Sequence, residues 1–151
     1  MPTFRQSIDI AAPAERLFAL TQDYAHRLDW DPFLKSAELL DGAMEAGVGV
    51  RAWCVAHSGL GMETEYVTYE PPRVAAVRMT RGPRVLASFA GSWRFEPAGA
   101  KTRVWFSYHL EARPRCLRWL LNPLLQRVFA RDTRRRLQAL RRAAEAAPLP
   151  S

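Results

Sequence analysis

Alternation of apolar and polar positions begins at the amino end. From Thr3 to Ile10, Phe4, Ile8 and Ile10 stand among polar neighbours, which predicts a first strand. Ala12-Pro13-Ala14-Glu15 then opens a helix, with Pro13 suited to its first position and Glu15 favourable to its dipole. Leu17, Phe18 and Leu20 give that helix an apolar side. A second short helix is expected over Asp23 to Leu28, stopped by Trp30-Asp31-Pro32, because the residue before a proline avoids the helical region. From Phe33 to Ala112 the period is that of strands: FLKSAELL, VGVRAWCVAH, METEYVTY, VAAVRMT, VLASFAGSWRFE and TRVWFSYHLEA. Turn residues separate them at Asp41-Gly42, Ser58-Gly59, Pro71-Pro72, Arg81-Gly82-Pro83 and Pro97 with Gly99. With the first strand this makes about seven, at the spacing of a meandering antiparallel sheet.

The chain changes character after Ala112. Pro114 to Ala144 shows no alternation and is dense in Leu, Arg and Ala, all good helix formers. Asn122-Pro123 fits either a short helix leading into a long one or a continuous helix with a kink. At 100° per residue, Leu125, Phe129, Thr133, Leu137, Leu140 and Ala144 share one side of this helix, and Arg127, Arg131, Arg134, Arg135, Arg141 and Arg142 the other. The apolar side needs a partner, and the curved sheet is the one at hand. A sheet wrapped around a long helix leaves space between the two, where a ligand can sit. One domain over residues 1–147 is expected, with 148–151 as a disordered tail.

Composition adds little until charge is placed along the chain. Of the 151 residues 48% are hydrophobic and 25% charged, which is ordinary globular usage. The 22 Lys and Arg outnumber 15 Asp and Glu, for a net charge of +7. Residues 113–142 account for more than the whole of that excess, with ten Arg against Asp132 alone. Residues 1–112 are almost neutral, so basicity speaks for one helix face and not for the cavity. No nucleic-acid partner is expected, since aromatics are not interleaved with the arginines from Arg131 onward. Cys54 and Cys116 form no CxxC pair and are expected as buried free thiols. His26, His57 and His109 match no ligand spacing, so no metal and no cofactor is expected. With no apolar leader and no long apolar run, a cytoplasmic protein without a transmembrane segment is the simplest expectation.

Three stretches carry a family resemblance. IDIAAPAERLFALTQDYAHRLDWDPFLKSAEL, VTYEPPRVAAVRM and GSWRFEPAGAKTRVWFSYHLEA occur in that order over most of the chain. They resemble the SRPBCC superfamily of START domains, polyketide cyclase/dehydratase-like proteins and birch-pollen-allergen-type proteins. The resemblance implies an α+β helix-grip fold: a seven-stranded curved antiparallel sheet around a long C-terminal helix, with two short helices after strand 1. It also implies a hydrophobic cavity, but no shared catalytic motif maps onto these residues.

Strand parity nominates the cavity wall. The apolar set of one strand contains Phe89 and Trp93, and that of the last contains Phe106 and Tyr108. Trp53, Val67, Tyr69 and Met79 are expected to face in as well, roofed by Leu125 and Phe129 of the helix. If Val67 and Tyr69 face inward, parity carries Glu63 and Glu65 inward too, unless a bulge intervenes. Glu65 with His57 and Tyr108 are then the candidate acid/base groups, although alternating Glu on a strand more often marks a wet face. Tyr66, Tyr69 and Tyr108 are candidate hydroxyl donors to a ligand. Trp30 is read as a packing residue, and the flanking Asp29 and Asp31 as local turn formers.

These observations rank three functions. The first is binding or transport of a hydrophobic small molecule, lipid-like or aromatic, between sheet and helix. The second is a cyclase/dehydratase-like enzyme using Glu65, His57 and Tyr108 in the same cavity. The third is association with an anionic membrane or a partner through the Arg-rich helix face. The oligomeric state stays open, a homodimer among the options.

Overall fold

The computed structural model describes residues 4–113 and 115–146; the tail expected as disordered lies outside them. Strand β1 (Phe4–Ile10) leads into helix α1 (Ala14–Gln22), a single 3-10 turn (Arg27–Asp29), and then β2 (Leu34–Leu39) and β3 (Arg51–Ala56). Four more strands follow: β4 (Gly61–Glu70), β5 (Val74–Arg81), β6 (Leu86–Ala98) and β7 (Lys101–Ala112). A second 3-10 turn (Arg115–Leu117) then opens the long helix α2 (Arg118–Ala146). The seven strands form one antiparallel sheet in the order β1-β7-β6-β5-β4-β3-β2. Each strand from β2 onward pairs with its successor, and β1 closes the far edge on β7. This is the helix-grip architecture, with a curled half-barrel sheet around α2.

Two local expectations are corrected. Pro13 is the N-cap of α1 rather than its first residue, and its carbonyl accepts the N–H groups of Arg16 and Leu17. The second short helix shrinks to three residues because Asp23 turns the chain first. Its carboxylate accepts the Ala25 N–H at 3.1 Å and meets His26 Nδ1 at 2.7 Å, competing with the backbone bonds a helix needs. The Asn122-Pro123 alternative resolves to one continuous helix containing Pro123. Asn122 serves elsewhere: its Oδ1 accepts the Ala112 N–H at 2.9 Å, tying α2 to the end of β7.

The core lies on the concave face of the sheet. Val104, Phe106, Tyr108 and Leu110 of β7 and Trp93 and Phe95 of β6 alternate inward, all nearly sealed from solvent. Thr133, Leu137, Leu140 and Ala144 of α2 pack onto this core, with α2 against β1 and β7. Two long-range bonds pin the helix down. Gln6 Nε2 donates to the Ala130 carbonyl at 2.8 Å, and Glu145 Oε2 accepts the Ala11 N–H at 2.9 Å. Trp30 caps the other end of the core, edge-on to Trp93, with its indole N–H on the Leu20 carbonyl at 3.2 Å.

Candidate functional site

Between the sheet and the first half of α2 the core is not filled. A cavity of about 240 Å³ opens there, walled by β3 to β7, the α1–β2 connection and α2. Phe89, Trp93 and Phe106 form its aromatic floor and Leu125 and Phe129 its roof. Phe89 and Phe129 stack across the gap with centroids 5.4 Å apart, and Trp93 meets Phe106 edge-on at 4.9 Å. Gly91 lies between Phe89 and Trp93, where a Cβ would come within 3.4 Å of both Phe89 and Phe106. A larger side chain there would grow into the space. Leu60 and Val128 line the cavity and are also exposed, which places the mouth between the β3–β4 turn and α2.

The remaining residues expected on the wall lie elsewhere. Tyr69 and Met79 are on the concave face, packed against the core but outside the lining. Tyr108 is buried deeper under α2, stacked on Phe4 at 5.8 Å, its hydroxyl donating to the Gln126 carbonyl at 3.4 Å. Val67 is 47% exposed, at a register shift between Tyr66 and Thr68. That bulge reverses parity, so Met62, Thr64 and Tyr66 face the cavity while Glu63 and Glu65 take the convex face. Glu65 pairs there with Arg78 at 3.1 Å, and Glu63 accepts from Thr80 Oγ1 at 2.7 Å. In β3 the lining residues are Cys54 and Ala56, which turns Trp53 outward, over Gly61. His57 is exposed in the β3–β4 turn. The three expected acid/base groups are therefore not brought together. Cys54 is half-buried and Cys116 exposed, not both buried.

Polar groups do gather at the inner end of the cavity, and they come from other positions. Arg27 Nε and Arg136 Nε reach the same Asp31 Oδ2, at 2.8 and 3.1 Å, and the Asp31 side chain is fully buried. Burial alone would push the Asp31 carboxyl up, but Arg136 and Arg27 together hold it below the usual carboxylate range. Burial lowers the pKa of Arg136, whereas for Arg27 the same penalty is outweighed by Asp31, Tyr24 and Cys54 acting together. Beside them runs a chain of neutral groups. Tyr66 donates to Gln22 Oε1 at 2.5 Å, which makes Tyr24 the donor in the 2.9 Å Tyr24–Tyr66 contact. Gln22 Nε2 in turn donates to Thr21 Oγ1. Burial raises both phenols, Tyr66 strongly, so both stay protonated.

The sequence held one signal for this cluster. Arg136 projects between Leu125 and Phe129, on the apolar side of a helix whose exposed arginines face out. An Arg on a core-facing stripe requires a buried partner. Asp31, named only as a turn former, is that partner.

Comparison with known proteins places the fold. The family described as polyketide cyclase / dehydrase and lipid transport matches residues 1–145, and the chain belongs to it. No curated protein matches the chain. Among solved structures, a protein of Thermus thermophilus is similar with a TM-score of 0.80 and 22% identity, over 96% of this chain and 98% of that one. A START superfamily protein from Mycobacterium smegmatis gives 0.78 and 13%, over 95% and 97%. The Streptomyces aromatase/cyclase Zhui gives 0.77 and 21%, over 95% and 93%. At these identities the likeness is one of fold. Among the described residues, no helix is long and apolar enough to cross a membrane.

Proposed function

We propose that this chain, as a member of that family, binds an apolar small molecule, aromatic or lipid-like, between the sheet and α2. The observation that carries this is the cavity of about 240 Å³ with its floor of Phe89, Trp93 and Phe106. An apolar cavity of roughly 150 Å³ takes up benzene, so this one has room for a one- to two-ring body or a short chain. Binding is favoured over cyclase or dehydratase turnover because Glu65, His57 and Tyr108 do not line the cavity. The test is native mass spectrometry of the purified protein and of Gly91→Leu, whose side chain grows into the space. A co-purified organic ligand in the wild type, absent from a folded Gly91→Leu, is expected. An empty wild type that also takes up no aromatic or fatty probe would overturn the reading.

A second reading is favoured by the outer face of α2. Trp119 is 76% exposed, and Leu120, Leu124 and Val128 beside it are about half exposed. Arg115, Arg127 and Arg131 flank them on the surface. Apolar side chains bordered by arginines match an anionic bilayer, into which the former insert while the latter meet headgroups. Val128 belongs to both this patch and the cavity mouth, so docking would present the mouth to lipid. Flotation with phosphatidylserine-containing vesicles should retain the protein, with loss at high salt and in Trp119→Ser. Equal behaviour with and without those vesicles would remove this reading and leave the first intact.

A further inference from the structure

At the inner end of the cavity two buried guanidinium groups depend on one ion-paired carboxylate. Arg27 and Arg136 share a single carboxylate, and their side chains are only 8% and 13% exposed. Asp31 is committed on both oxygens, since Oδ1 also accepts the Phe33 N–H at 2.9 Å. Arg27 is satisfied within the fold: Nε binds Asp31, Nη1 donates to the Thr21 carbonyl, and its plane lies 5.0 Å from the Trp30 ring. Arg136 is not. Its Nε is sealed from solvent and too poorly aligned with Asp31 for a hydrogen bond. Among the described residues, Asp31 is the one carboxylate within ion-pair distance of it. Phe33 and Phe106 flank its guanidinium at 4.7 and 5.7 Å, and it lines the cavity.

A buried charge that has only a shared counter-charge is costly, and an apolar cavity is a poor place to leave one. Among the described residues, no second carboxylate comes within ion-pair distance to balance it. Both phenol protons are already committed, Tyr24 to Tyr66 and Tyr66 to Gln22. Asp132 lines the cavity one turn before Arg136 and feels its charge, but lies beyond ion-pair distance of it; burial raises its carboxyl pKa against the pull of Arg136, Arg135 and Arg131. We propose that the ligand brings the missing charge: the cavity takes an organic anion, a carboxylate or acidic enolate on a small apolar body. The acidic group sits against the guanidinium of Arg136, and the body lies between Phe89, Trp93 and Phe129. Arg136 is pre-oriented for this by its two flanking rings and by Asp31 behind it, which leaves the planar fork to meet a carboxylate. This deepens the cavity reading above and rests on it.

The experiment compares naphthoate with naphthamide, two probes of the same shape of which one is charged, by titration calorimetry at neutral pH. Wild type is expected to bind naphthoate at least about tenfold more tightly. Arg136→Gln should abolish that preference, weakening naphthoate binding by more than it changes naphthamide binding. Because Arg136→Gln disturbs a buried cluster, Asp132→Asn serves as a second variant and should keep or strengthen the preference. Equal binding of both probes by wild type would overturn the anion subsite while the cavity reading stood. Binding of neither would sink the cavity reading and this one with it. A preference that survives in folded Arg136→Gln, or disappears in Asp132→Asn, would take the subsite away from Arg136.

Discussion

The first half of α2 carries more large apolar side chains than the second, yet the second is the half that is buried. In the second half, Thr133, Leu137, Leu140 and Ala144 are buried against the concave face of the sheet. In the first half, Trp119, Leu120 and Leu124 face solvent, and Leu125 and Phe129 are only partly buried, at the cavity and the edge of the core. The first half is held by hydrogen bonds instead, those of Asn122 and Arg118 with the backbone of Ala112, of Tyr108 with the Gln126 carbonyl and of Gln6 with the carbonyl of Ala130. One half therefore anchors the fold and the other roofs a space, and apolar residues mean different things in each. Arg136 sits where the halves meet, and its pairing with Asp31 joins the anchor to the inner wall of the cavity.

The largest expected effect breaks that junction. Asp31→Asn leaves two buried guanidinium groups without a counter-charge and should cost roughly 3–5 kcal/mol in urea unfolding. The sign with pH follows from the lowered carboxyl. Its folded pKa lies below the unfolded value near 4, so the contribution is complete above that pH and fades as pH falls through the folded value. The variant should thus lose the part of acid destabilisation that Asp31 supplies, and its deficit against wild type should shrink in acid. A deficit that is the same at low and neutral pH would show that the pair is not what Asp31 contributes. Next in size, Leu140→Ala removes a fully buried anchor and should cost roughly 2–5 kcal/mol. Phe129→Ala, from the half-buried roof, should cost only about 1 kcal/mol by its lost contact area while changing the affinity of cavity probes. Equal losses from the two would mean that the halves are equally structural.

How far the sequence revealed this depends on whether a feature was local. Parity along β6 and β7 put Phe89, Trp93 and Phe106 on the cavity because the two strands pair in one register from Ser88–Glu111 to Ala98–Lys101. The same reasoning in β4 started from Tyr69 and crossed the bulge at Val67, which reversed Glu63 and Glu65. That bulge belongs to the pairing of β4 with β5 and leaves no mark in METEYVTY itself. Trp53 pairs opposite Glu63 and goes with it to the convex face, where its ring has a seat over Gly61. The Asp31–Arg136 pair joins residues from opposite ends of the chain. Only the misplaced charge on the helix stripe hinted at it, and nothing local named the partner.

The smallest expected effect is the sharpest test of the comparison. Leu124 and Trp119 contact water in the folded chain much as they do unfolded, so their burial contributes little to stability. Leu124→Ser combined with Trp119→Ser should change stability by no more than about 0.5 kcal/mol, despite removing two large apolar side chains. Leu140→Ala loses a smaller group and should cost several times as much. If the double variant instead loses more than a kilocalorie or so, something covers the patch in the protein as it exists. A loss that deepens as wild-type protein is concentrated identifies the cover as a second copy, because only association makes stability depend on concentration. A loss independent of concentration places the cover within the same chain and removes the roof-and-anchor distinction.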